Sequence, residues 1–220
     1  MLCDKMLHLK RLYRTASLLA GITVFYNLAE GLVSVWFGSE DEVISLFGFG
    51  LDSFVEVISG VGIWHMVRRL GNGEYPDRDA FEKQALRITG GAFYLLAAGM
   101  LITAGVSVVR HHAPVTGFWG IVVALLSICT MQILIHYKVK VGTALNSAAI
   151  LADAACTRTC LQLSVALLAA SAGYALTGIG YLDAIGSLAI AGLSVREGRE
   201  AFRTAAGLAC SCSCSCSKSC

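Results

Sequence analysis

The sequence predicts an all-α polytopic membrane protein: a six-transmembrane-helix bundle with both termini cytoplasmic. Three observations predict it. The 220 residues are 56% hydrophobic and only 15% charged, where a soluble domain averages about 25% charged. The apolar residues gather into six runs, most of them long enough for the ~20 residues that cross a bilayer. The basic residues sort into alternate connections. The mean hydropathy is +0.68. A net charge of +2, with its basic residues scattered over loops, predicts no nucleic-acid partner.

The runs extend from Leu12 to Phe37, Val43 to Val67, Ile88 to Val109, Val115 to Tyr137, Leu145 to Leu176 and Leu182 to Val195. The first follows a basic stretch (Lys5, Lys10, Arg11, Arg14). It is too long for a signal-peptide core and ends without a small-residue cleavage pattern. The second follows the acidic Ser39-Glu40-Asp41-Glu42, which reads as an N-terminal cap. The third follows Gly71-Asn72-Gly73 and Tyr75-Pro76-Asp77, which read as a turn. The sixth is the shortest, and its helix is expected to run on through Arg196, Arg199 and Arg203. With the N-terminus inside, 15 of the 17 Lys and Arg residues are cytoplasmic, Lys138 and Lys140 among them. Arg110 alone is outside, and Arg158 lies within the fifth run. That bias sets the predicted orientation. Residues 1–205 are the expected transmembrane transport domain. Residues 206–220 form a Cys/Ser-rich tail of low complexity, expected to be disordered.

Two motifs carry the chemistry. Asp52-Ser53-Phe54-Val55-Glu56 lies in the second run and Cys156-Thr157-Arg158-Thr159-Cys160 in the fifth. Each places two metal-ligand types at i and i+4, on one face of a helix. Two such faces turned together offer four ligands, the number Zn²⁺ takes. Ionisable groups inside a membrane are costly and mark functional sites. The bland alternatives are an interhelical hydrogen-bonded pair for Asp52 and Glu56, and a small apolar packing role for Cys156.

The second, fifth and sixth runs resemble the cation diffusion facilitator family of metal transporters. Phe49-Gly50-Leu51-Asp52-Ser53-Phe54-Val55-Glu56 is similar to that family's second-helix motif. Leu151-Ala152-Asp153-Ala154-Ala155-Cys156-Thr157-Arg158-Thr159-Cys160 is similar to its fifth-helix motif, and Tyr181-Leu182-Asp183-Ala184-Ile185-Gly186-Ser187 to the start of its sixth helix. The resemblance covers about Leu18 to Arg203. It implies a six-helix transporter in a cell membrane, a homodimer, protons as the coupling ion, export from the cytoplasm by alternating access, and no organic cofactor. The chain departs from the family pattern where Glu56 replaces an Asp, and where Cys156 and Cys160 replace a His and an Asp. The family's usual cytoplasmic metal-binding domain after the sixth helix has no counterpart.

Two carboxylates and two thiolates suit Zn²⁺, and the sulfur donors move preference toward Cd²⁺. Mg²⁺ and Ca²⁺ favour all-oxygen shells. Metal entry displaces protons from thiols, which links metal to proton movement. Asp153, one turn before Cys156, is a candidate partner or proton relay, with a structural hydrogen bond as the bland alternative. Asn27 and Glu30 either line an outer cavity near Asp52 or serve structure. Arg158 needs a carboxylate, for which Glu30 and Asp183 are candidates. His111 and His112 are read as inert loop residues, and Cys129 as core. In the tail, Cys210, Cys212, Cys214, Cys216 and Cys220 suit capture of a soft metal, although palmitoylation and no role stay open. Two other functions remain: a non-transporting metal sensor or modulator, and a membrane thiol–disulfide protein. C-x-x-x-C on a helix strains a disulfide, which disfavours the last.

Overall fold

The computed structural model describes residues 2–40, 44–72, 78–110, 118–177 and 182–207. These form six helices: α1 (Leu2–Glu40), α2 (Ile44–Gly71), α3 (Arg78–Arg110), α4 (Phe118–Leu145), α5 (Ala148–Thr177) and α6 (Leu182–Ala205). The closest pairs are α1 with α2, α3 with α6, and α4 with α5. The two motif-bearing helices are central: α2 touches α1, α3 and α5, and α5 touches α2, α3, α4 and α6.

The burial pattern is inside-out relative to a soluble protein. Leu18, Phe25, Trp36, Ile102, Leu126 and Ile133 are exposed. Thr23, Asn27, Asp52, Glu56, Ser59, Thr89, Lys138, Asp153 and Thr157 are buried. Lipid solvates the apolar exterior, so polar side chains must find one another inside. By length and composition alone, α1, α3 and α4 contain windows fit to cross a membrane: Leu9–Phe37, Asp79–Val106 and Ile121–Leu145. Helices α2 and α5 also carry the polar groups that meet inside, and α6 ends in a charged stretch.

Small residues let the helices approach. A Cβ added to Gly50 on α2 would lie 2.9 Å from the backbone nitrogen of Val35 on α1. A Cβ added to Gly198 on α6 would lie 3.2 Å from the carbonyl oxygen of Gly90 on α3. An apolar cluster including Tyr13, Ile63, Met66, Leu70, Leu86, Leu145 and Ile150 fills one end of the bundle. A second, with Leu96, Met100, Leu163 and Ile190, lies between α3, α5 and α6.

Several expectations change. Helix α4 does not stop at Tyr137; it continues through Lys138 and Lys140 to Leu145. Lys138 is therefore a buried side chain of the bundle, 2% exposed, rather than a loop residue. With the N-terminus taken as cytoplasmic, the tally becomes 14 of 17 basic residues, still a strong bias. Ser39 and Glu40 extend α1, and Gly71 ends α2 with Asn72 opening the connection to α3. Cys129 is exposed on α4: the outward face of this helix meets lipid, where a thiol needs no core. Asp41, Glu42, the turn at Tyr75–Asp77, His111, His112 and the tail cysteines lie outside the described residues. So does the side chain of Asp183.

Candidate functional site

The site is set by a short α4–α5 turn. Asn146 adopts a left-handed conformation (φ 48°), which asparagine tolerates better than most residues. The amide of Asn146 donates to the Thr143 carbonyl at 3.1 Å, and that of Ser147 to the Gly142 carbonyl at 3.0 Å. The Ser147 hydroxyl then caps α5, accepting from the Ile150 amide at 3.4 Å. Glu82 on α3 pins the same end by accepting from the Ser147 hydroxyl at 2.9 Å and the Ala149 amide at 3.3 Å. An antiparallel pair with so short a turn matches residues by depth. Lys138 lies eight residues before Asn146, and Asp153 lies seven after it. At ~1.5 Å per residue both sit roughly two turns inside the bundle.

These two meet: Lys138 Nζ is 2.8 Å from Asp153 Oδ2, and both side chains are buried. Lys138 also donates to Thr157 Oγ1 at 2.8 Å and stands 4.0 Å from Glu56 Oε1. Thr157 in turn donates to Glu56 Oε1. The other Asp153 oxygen accepts from Ser59 at 2.8 Å, and Ser59 pairs with Thr89 at 3.0 Å. Asp153 is thus an ion-pair partner of Lys138 held by a hydroxyl from α2.

Of the four residues expected as ligands, all are buried: Asp52 at 3%, Glu56 at 0%, Cys156 at 0% and Cys160 at 3% exposed. The Cys160 thiol donates to Asp52 Oδ1 at 3.5 Å. It also interacts with Cys156 and with Glu56, but makes no geometric hydrogen bond to Glu56 Oε2. That oxygen is buried without a partner, which is costly for a carboxylate. Cys160 thus neighbours the other three. Among the described residues, no three His, Cys, Asp or Glu side chains already stand as a group able to hold a metal ion. Both thiols are free.

Toward the other side of the bundle, Glu30 accepts from Ser53 at 3.1 Å and from Tyr26 at 3.1 Å. Ser53 adjoins Asp52 in sequence, so α1 braces the motif. Asn27 donates to the Thr23 carbonyl at 2.9 Å, and its side-chain oxygen is buried without a partner. Arg158 points away from the motif, as its spacing predicts. Glu197 of α6 feels its charge, after that of the adjacent Arg196; Glu30 is engaged by Ser53 and Tyr26. Glu197 was not a candidate because it lies 39 residues further on, past an interhelical connection.

An all-α bundle with an apolar exterior and a buried set of carboxylates, thiols and one ammonium defines a class: integral membrane proteins that handle cations. The family model for the cation efflux transmembrane domain matches residues 16–207. The chain belongs to the cation efflux family, and it is a metal-cation transporter of that kind. Its work is therefore transport rather than catalysis. No curated protein gives a significant match to the chain.

Proposed function

We propose that Asp52, Glu56, Cys156 and Cys160 close around one Zn²⁺ or Cd²⁺ ion between α2 and α5, and that the protein exports this ion from the cytoplasm in exchange for protons. The observation that carries the reading is the buried Glu56 Oε2. It lacks a partner in a position next to the Cys160–Asp52 contact. A carboxylate oxygen left bare in the middle of a membrane bundle is explained by a cation that binds there. Asp52, Glu56, Cys156 and Cys160 together would supply two oxygen and two sulfur donors, the number a tetrahedral ion takes. Sulfur donors favour Cd²⁺ over harder ions. Binding would release thiol protons and release of metal would let them return, which supplies the coupling. In this reading the protein acts as a homodimer, with lipid around it.

Reconstitution tests it. Proteoliposomes of the full chain loaded with a pH dye should alkalinise or acidify on addition of Zn²⁺ or Cd²⁺, with the sign opposite to metal movement. Metal accumulation without any proton movement would overturn the antiport part. A bound metal with no flux of either ion would make the protein a sensor instead.

A further inference from the structure

The metal reading leaves Lys138 without a role, although it is among the largest fully buried side chains in the bundle. A lysine in a membrane interior is costly and marks function. Its surroundings are those of a bound cation. Its ammonium has three protons to donate. It meets Asp153 Oδ2 at 2.8 Å, Thr157 Oγ1 at 2.8 Å and Glu56 Oε1 at 4.0 Å. Ser59 and Thr89 hold Asp153 from behind. This is an oxygen-lined cation site whose ion is tethered to α4.

Glu56 belongs to both sites. Its Oε1 accepts from Thr157 and stands beside the ammonium, while its Oε2 has no partner. Asp52, Glu56 and Asp153 bring carboxylates to one region, and Cys156 and Cys160 add negative charge when metal displaces their protons. Lys138 sets one positive charge among them, beside Glu56. Without the lysine, a divalent ion would meet more negative charge and leave less readily.

We propose that Lys138 is the transport site's resident counter-cation: its ammonium fills a second cation site made by Asp153, Thr157 and Glu56, and through the shared Glu56 it weakens metal binding enough for release. The proposal rests on the assignment of Glu56 as a metal ligand. Lys138 keeps its charge throughout and acts by repulsion, as a positioning residue for Glu56.

The test measures Cd²⁺ affinity of the full chain in detergent, by competition with a chromophoric chelator, for three variants. Lys138→Met should bind Cd²⁺ at least about tenfold more tightly, since a unit charge this close acts through a low effective dielectric. Asp153→Asn should bind it at least about tenfold more weakly, because the ammonium then faces Glu56 alone. The double variant removes both charges and should return to within about threefold of wild type. In proteoliposomes, Lys138→Met should lower KM and kcat together, which a packing defect would not do. Asp153→Asn keeps the acceptor for Ser59, so it reads the charge effect even where Lys138→Met folds poorly. Unchanged affinity in Asp153→Asn, or shifts of the same sign in both single variants, would overturn the proposal. A Glu56→Gln chain that binds Cd²⁺ as well as wild type would instead overturn the site assignment.

Discussion

Gly50→Ala should loosen the contact that holds the metal motif against α1. The added Cβ would sit 2.9 Å from the Val35 nitrogen, 3.0 Å from the Gly31 carbonyl oxygen and 2.8 Å from Val35 Cγ2. Ordinary contact begins near 3.4 Å, so the two backbones must part by about 0.5 Å. The Val35 side chain can turn aside, but the backbone atoms cannot. Overpacking of this kind costs about 1–3 kcal/mol. Three residues on, the Ser53–Glu30 hydrogen bond is 3.1 Å long. The same separation takes it past useful length, at a further cost of about 1 kcal/mol. Together these should lower the melting temperature of the detergent-solubilised chain by about 5–15 °C. Metal affinity should fall too, because Ser53 adjoins Asp52. Gly21→Ala is the control: its Cβ would meet nothing within 4 Å, and alanine favours the helix by about 1 kcal/mol. If Gly50→Ala melts as high as Gly21→Ala, close α1–α2 packing does not support the site.

Other outcomes follow from the same structure. Cys156→His combined with Cys160→Asp should move transport preference from Cd²⁺ toward Zn²⁺ or Mn²⁺, read by competition between the ions in proteoliposomes; unchanged preference would remove the thiols from the ligand set. Cysteine-accessibility labelling should find residue 75 and the C-terminus on the cytoplasmic side; labelling from outside would invert the topology. Deleting Cys210 to Cys220 should leave transport intact at saturating metal and reduce it only at low metal, because the tail lies outside every apolar run.

The helices and the two motifs were legible because each has a local signature. Apolar runs of bilayer length and ligand pairs at i and i+4 need no knowledge of neighbours. The inward facing of Asp52, Glu56, Cys156 and Cys160 came from that spacing. Lys138 was not legible in the same way. It ends an apolar run in the company of His136 and Lys140, which looks like a cytoplasmic flank. One signal was available: no proline interrupts the stretch from Tyr137 to Asn146, which lets the helix run on past the lysine. Its partner could be suggested only by depth matching across the turn, since Asp153 lies 15 residues on. Cys129 misled for a different reason. A membrane helix is apolar all round, so periodicity does not separate its lipid face from its packed face. The nearness of Arg158 to Glu197 depends on the α5–α6 packing, which no local pattern encodes.

Equilibrium binding of Cd²⁺ to the purified full chain, with and without Glu56→Gln, tests the central claim most directly. The wild type should bind one ion per chain at the site. Glu56→Gln should bind none there, because the shell loses a charged ligand and three buried donors hold a metal poorly. One ion bound with equal affinity by both proteins would contradict the account and move the metal away from α2 and α5.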